Sequence, residues 1–299
     1  MIEIFKNLEK LFTVDNASTA IKVYALILSI VTISKNSKKY LKLYETRHLR
    51  KVWGIKDKES VTVICSELDN PEERQNVEPQ EFIYNLKYGD IDAYFEVIVT
   101  LLRLYPDLKL KILSAGEAEK VRFDMAQTII LIGGPDYNGI VEKVFEDCEP
   151  QFNYRSPHTS EKSKINPDEI TIYNVKTDNE YFETNDFGDY GYFESIVNPN
   201  NPKKRIIIIG GCHTLGVTAA VKAFSLSNSE YGEIPNVVLE NSKKVSNKIS
   251  SKSEFAVLVK AKRVGQSINI PIVKLENVSV KERDTWFQKL INIIKKLKL

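Results

Sequence analysis

Two stretches join an apolar β run directly to a pair of glycines: "TIILIGGPDYNG" at 128–139 and "RIIIIGGCHTLGVTAA" at 205–220. Glycines let the backbone approach a ligand closely. A helix starting just behind them offers free N–H groups and the positive end of its dipole, a combination suited to anions. Gly133, Gly134 and Asn138 in the first stretch are therefore candidate contacts for a nucleotide-like small ligand. Gly210, Gly211, His213, Gly216 and Thr218 are the candidates in the second. Neither loop is a Walker loop, because Gly-Lys-Ser/Thr is missing, and neither reads G-x-G-x-x-G. The same glycines equally suit a tight turn with a helix packed closely on a strand. The loops alone leave both readings open.

Covalent or acid–base chemistry finds less support. Cys212 and His213 are adjacent, and neighbours on a turn rarely face each other; a working Cys–His pair comes from separate elements. Asp136, Asp189 and Glu194 supply carboxylates near the two loops, but no spacing among them compels acid–base catalysis, so no catalytic residue is assigned. The three cysteines (Cys65, Cys148, Cys212) and three histidines (His48, His158, His213) are scattered. They form no zinc pattern or disulfide framework and suit a reducing cytoplasm. No metal or cofactor is expected. Lys plus Arg is 42 against 40 for Asp plus Glu, a balance that argues against direct nucleic-acid binding.

The elements that must position these loops follow from hydrophobic period. "SVTVICSEL" (60–68), "LKLKILSAG" (108–116) and "TIILIGG" (128–134) read as strands. "DIDAYFEVIVTLLRLYP" (90–106) carries apolar residues at helical spacing and stops at Pro106, and "GIVEKVFEDC" (139–148) is a shorter helix. The polar, proline-broken segment 149–170 reads as an exposed connection. "ITIYN" and "YFETND" form a hairpin, and "DYGYFESIVNPNNP" (189–202) leads into the second Gly-Gly strand. "VTAAVKAFSL" (217–226) is the helix behind it. Residues 254–278 form a β-ribbon turning at Gly265-Gln266. The expectation is a Rossmann-like α/β fold over 53–299: a mostly parallel sheet with flanking helices, preceded by an N-terminal hydrophobic helix.

The first 52 residues differ in kind. "ASTAIKVYALILSIVTIS" (17–34) holds one charge, Lys22, and as a helix would be about 27 Å long, just short of a hydrocarbon core of roughly 30 Å. Directly after it come Lys35, Lys38, Lys39, Lys42, Arg47, Arg50 and Lys51 against a single Glu45. That order predicts a membrane anchor with anionic lipids as partners and the following domain in the cytoplasm. A buried core helix is the competing reading. The chain's end, "WFQKLINIIKKLKL" (286–299), is a basic amphipathic helix, better suited to packing on the sheet than to membrane contact.

Taken together, "GGPDYN", "DYGYFESIVNPNNPKKRIIIIGG" and "GVTAAVKAF" resemble a widespread, poorly characterised prokaryotic α/β family. Its members carry a Gly-Gly-Pro-x-x-Asn turn, Asp-Tyr-Gly, an Asn-Pro-x-Asn-Pro turn and a small-residue helix. The resemblance covers roughly 60–275. It extends to an N-terminal hydrophobic helix and a basic stretch ending in Trp-Gly, similar to "HLRKVWG" (48–54). Many members have Gly-Thr where this chain has Gly216-Val217-Thr218, a departure that weakens a specific role for the hydroxyl. The resemblance implies a membrane effector of antiviral defence, sometimes beside short Argonaute proteins, that is recruited by a protein sensor; because a single span cannot itself form a pore, a homo-oligomer is expected. It implies no catalytic residues. The rival readings are a soluble nucleotide-processing enzyme using Asp136, Asp189 or His213, and a non-catalytic interaction module.

Overall fold

A computed structural model describes residues 43–67, 88–121, 123–157, 162–165, 168–182, 188–226, 234–250, 253–264 and 267–281. The chain divides into two compact units, Met1–Arg47 and His48–Leu299. Of the first, only residues 43–47 are described; there Arg47 donates to the Tyr44 carbonyl at 2.7 Å and lies over the Tyr44 ring. The expected apolar helix 17–34, Lys35, Lys38, Lys39, Lys42 and the C-terminal helix 286–299 all lie outside the described residues. Among the described residues, no helix is long and apolar enough to cross a membrane.

The second unit runs α1 (Arg47–Trp53), β1 (Ser60–Cys65), α2 (Tyr88–Leu104), β2 (Lys109–Ser114), α3 (Ala115–Lys120), β3 (Thr128–Ile132) and α4 (Gly139–Asp147). There follow β4 (Phe152–Arg155), β5 (Thr171–Asn174), β6 (Glu180–Tyr181), β7 (Gly188–Val197), β8 (Arg205–Gly211) and α5 (Thr214–Lys222). The described part closes with α6 (Asn236–Lys248), β9 (Glu254–Val264), β10 (Ser267–Ile268) and β11 (Val278–Lys281).

The main sheet has the order β10-β9-β7-β8-β3-β1-β2, with β11 also beside β9. The half β2-β1-β3-β8 is parallel, as the crossover pattern predicts. From β7 onward the pairing is antiparallel, so the mostly parallel sheet expected from the sequence carries an antiparallel part on one side. A turn rather than a helix joins β7 to β8, and a turn can only reverse the chain. Asn198 builds that turn. Its backbone N–H meets the Lys204 carbonyl, its side-chain oxygen accepts from the Asn200 N–H, and its amide donates to the carbonyls of Met125 and Gln127 at 2.8 and 2.7 Å. The Asn-Pro-x-Asn-Pro pattern is thus a clamp between the β7–β8 turn and the start of β3.

The run of four isoleucines serves two cores at once. Ile207 and Ile209 face one side with Ile130, Ile132, Leu101 and Trp53, while Ile206 and Ile208 face the other with Ile129, Leu131, Val141 and Tyr192. Period-2 alternation in a sheet covered on both faces explains why these strands are apolar throughout. A separate three-stranded sheet, β4-β5-β6, brings Phe152, Tyr154 and Ile172 into the second core. The segment 149–170, expected as an exposed connection, therefore contains a buried strand; Phe152 and Tyr154 alternate too briefly to reveal a period.

The border expected at residue 52 falls inside α1, whose Leu49, Val52 and Trp53 are buried. Trp53 is fully enclosed, donates its indole N–H to the Phe224 carbonyl at 3.1 Å, and meets the Phe193 ring edge-on at 5.2 Å. Arg50, expected at the lipid surface, bonds the Leu104 carbonyl and Asp57 and lies over Tyr105. The Lys51 ammonium donates to the Ser246 carbonyl at 2.7 Å. Both basic groups thus fasten α1 to the body. Trp53→Ala should cost about 3–5 kcal/mol in urea denaturation of the full chain, the range for emptying an aromatic core site; a loss below about 1 kcal/mol would contradict this packing.

Candidate functional site

In the parallel half, β1 is followed by β2 on one side and β3 on the other, so the connections diverge between β1 and β3. Open α/β sheets collect ligands at the carboxyl ends of strands beside such a point. A small pocket, about 30 Å³, opens there between the two glycine turns. Its walls come from the turn after β3 (Gly133 to Tyr137), the turn after β8 (Gly211 to Thr214), Asp90 of α2, Tyr154 of β4, and Ile170 with Val217.

The first Gly-Gly turn is built by its backbone. Gly133 has φ +98°, and a β-carbon there would lie 1.7 Å from the Ser66 hydroxyl, so only glycine fits. Ser66 in turn donates to the Ile132 carbonyl at 2.9 Å, which ties the end of β1 to the end of β3. Asn138 lies behind the pocket wall as the cap of α4. Its side-chain oxygen accepts the Ile140 N–H at 3.2 Å and its amide donates to the Ile132 carbonyl. Asp136 lines the pocket with Oδ2 accepting from the Ser156 hydroxyl at 2.7 Å.

The second turn is organised by Asp189. This fully buried carboxylate accepts the Gly216 N–H at 2.5 Å and the His213 N–H at 3.1 Å on Oδ2, and the Tyr190 N–H at 2.7 Å on Oδ1. It sits where an anion bound by the N-terminus of α5 would sit. The same register brings β7 against α5 so closely that a β-carbon on Gly191 would lie 1.9 Å from the Gly216 carbonyl oxygen. Asp-Tyr-Gly is therefore one device: the aspartate caps the helix and the glycine lets it approach. Other turn amides are also engaged. Gly211 N–H donates to the Tyr154 hydroxyl at 3.1 Å and Cys212 N–H to the Tyr190 carbonyl at 2.9 Å.

Of the eight expected ligand contacts, Gly133, Gly134, Gly211 and His213 line the pocket. Asn138, Gly210, Gly216 and Thr218 do not. The Thr218 hydroxyl donates to the Thr214 carbonyl within α5, so it is engaged inside the helix. Tyr154 and Ile170 escaped the sequence reading, whereas Thr214 stood in the second glycine loop, "GGCHTLGVT"; Tyr154 comes from the segment read as a connection, where no signal marked it. Asp90 stood at the start of a well-capped helix and could have been found there. The Cys212 thiol is buried, donates to the Tyr181 carbonyl, and is pushed far above its ordinary pKa by burial, which opposes nucleophilic use. Among the described residues no group of side chains is placed to hold a metal ion.

Burial pushes the Asp189 carboxyl from 3.8 up to about 6, against the pull of its amide partners. Glu194 on β7 binds the Gln151 and Phe152 amides, fastening β4 to β7, and burial pushes it from 4.5 to about 8. A carboxyl with a raised folded pKa contributes stability that is complete below its unfolded value and lost as pH rises through the folded one. Folding stability should therefore fall from about pH 4 to about pH 8 on account of these two groups. The Asp189 share is about 3 kcal/mol. Asp189→Asn should flatten the part below about pH 6 and leave the upper part; denaturation series at stepped pH that show an unchanged lower slope would contradict this.

No protein-family model matches the chain, and no curated protein matches it either.

Proposed function

We propose that the chain is a membrane-associated effector or adaptor whose α/β body is the receptor for a small ligand. The observation that carries the receptor half is the pocket at the carboxyl ends of β3 and β8, beside the divergence between β1 and β3. The membrane half is supported by the apolar stretch 17–34 followed by the basic run beginning at Lys35. In this reading the anchor sits in the cell membrane and the body in the cytoplasm. Occupancy of the glycine edge, or recruitment by a protein sensor, controls assembly of several copies. A single span cannot form a pore, so membrane damage requires such a homo-oligomer. The resemblance described above supplies the setting, a prokaryotic antiviral system of the short-Argonaute kind.

A nucleotide-processing enzyme is less well supported. The carboxylate best placed behind the His213 turn, Asp189, is committed to three backbone amides, and the Cys212 thiol is bonded and held protonated. Binding without turnover is the chemistry these groups favour.

The membrane half is tested in the full chain by the double substitution Leu26→Lys and Ile30→Lys. Each lysine near the centre of a span costs roughly 2.5–3.5 kcal/mol of insertion. The unaltered chain should stay with the membrane fraction through carbonate extraction and the double variant should be released. If both are released, the anchor reading fails.

A further inference from the structure

Two large apolar side chains of the second unit stand out in water beside a lysine-bearing helix. Ile272 is 68% exposed and Leu275 49% exposed, both on the segment between β10 and β11. The backbone on either side enforces this. Fully buried Asn241 of α6 donates to the Pro271 carbonyl at 2.8 Å and accepts the Val273 N–H at 2.9 Å. Val273 is thereby held in the core and its neighbour Ile272 is turned outward. The Lys244 and Lys248 ammonium groups donate to the Val273 and Leu275 carbonyls, so α6 grips the segment along its length.

The surface around these side chains is basic. On the other flank of α6, His48 and Lys51 of α1 reach the Ser246 hydroxyl and carbonyl, each at 2.7 Å. Lys51, Lys243, Lys244 and Lys248 thus share one face, and among the described residues no carboxylate pairs with any of them. Carbonyl groups accept from three of the four, which holds the charges in place without cancelling them. Against them stand Glu240 of α6 and Glu276, the latter 3.6 Å from Lys274. The opposite face of the sheet has the other sign. There α3 and α4 carry five acidic side chains against Lys120 and Lys143. A body polarised in this way turns its basic side to an anionic surface. Protein interfaces are depleted in lysine, whereas aliphatic tips among lysines suit the boundary between head groups and acyl chains.

Resting on the membrane reading of the chain, and going beyond its anchor, we infer that this face of the second unit lies on an anionic bilayer. Ile272 and Leu275 enter the interface, the lysines of α1 and α6 meet the head groups, and α3 and α4 face away.

The test places an environment-sensitive dye on the full chain in a Cys148→Ser background, Cys65 and Cys212 being buried. The dye is attached at Ile272→Cys, or at Leu275→Cys if that variant does not fold, and at Glu146→Cys on α4 as the reference. Vesicles are phosphatidylcholine alone, or phosphatidylcholine with one-third phosphatidylglycerol. On the anionic vesicles, emission at Ile272→Cys should rise at least threefold and be quenched by brominated lipid, with no change at Glu146→Cys. The rise should be at least halved on neutral vesicles, or in salt of about 1 M, where the screening length is about 3 Å. An equal rise on both vesicle types overturns the inference, as does a rise at Glu146→Cys equal to that at Ile272→Cys. Carbonate extraction of the same samples separates the two claims. A chain that stays on the vesicles with its Ile272→Cys dye still in water refutes this inference and leaves the anchor standing. A chain that is released and shows no rise removes the membrane reading and the inference together.

Discussion

The carboxylate of Asp189, set against the first turn of α5, is the contact on which the rest of this structure depends. Burying an unpaired carboxylate would cost several kcal/mol. Three backbone N–H donors and the positive end of a helix offset part of that cost, and burial still leaves the carboxyl raised to about 6. The bond joins the antiparallel half of the sheet, through β7, to the parallel half, through the β8–α5 turn. It also fixes how near α5 lies to β7, which is why the Gly191–Gly216 approach exists and why small residues fill the helix. Without that anion inside the fold, the turn would present the amides that make similar edges phosphate sites.

This gives the two glycine turns different roles. The turn after β3 is shaped by a glycine at positive φ and by hydroxyl clamps from Ser66 and Ser156, and it leaves a carboxylate oxygen facing the pocket. The turn after β8 is filled from within. Tyr154 joins them, since its hydroxyl receives the Gly211 amide while its ring stacks with Phe145 of α4. Glu194 holds the start of the strand carrying Tyr154, so the small sheet is fastened to the large one by a second buried carboxylate. Two acidic residues of one strand, five apart in sequence, thus position both walls of the site.

Much of this architecture was legible in the residues and some was not. The runs ending in Gly-Gly could be read as buried parallel strands because continuous apolar residues with β-branching have few other uses. The turns at which these strands end followed from the glycine pairs. The direction of β7 was hidden, since nothing in "GDYGYFESIV" distinguishes a crossover from a reversal until Asn198 is seen to build a tight turn. Tyr154 was hidden because a four-residue strand amid prolines and polar residues has too little period to detect. The function of Asp189 was hidden for a different reason: a carboxylate beside a glycine loop looks the same whether it awaits a ligand or replaces one. Only the distances to His213, Gly216 and Tyr190 separate the two.

The claim that the protein supplies its own anion at this edge is tested most directly by a crystal structure of the full chain grown in high inorganic phosphate. The account predicts Asp189 on the amides of His213 and Gly216, with no phosphate at the start of α5. A phosphate bound to those amides, with the Asp189 carboxylate turned away, would contradict it.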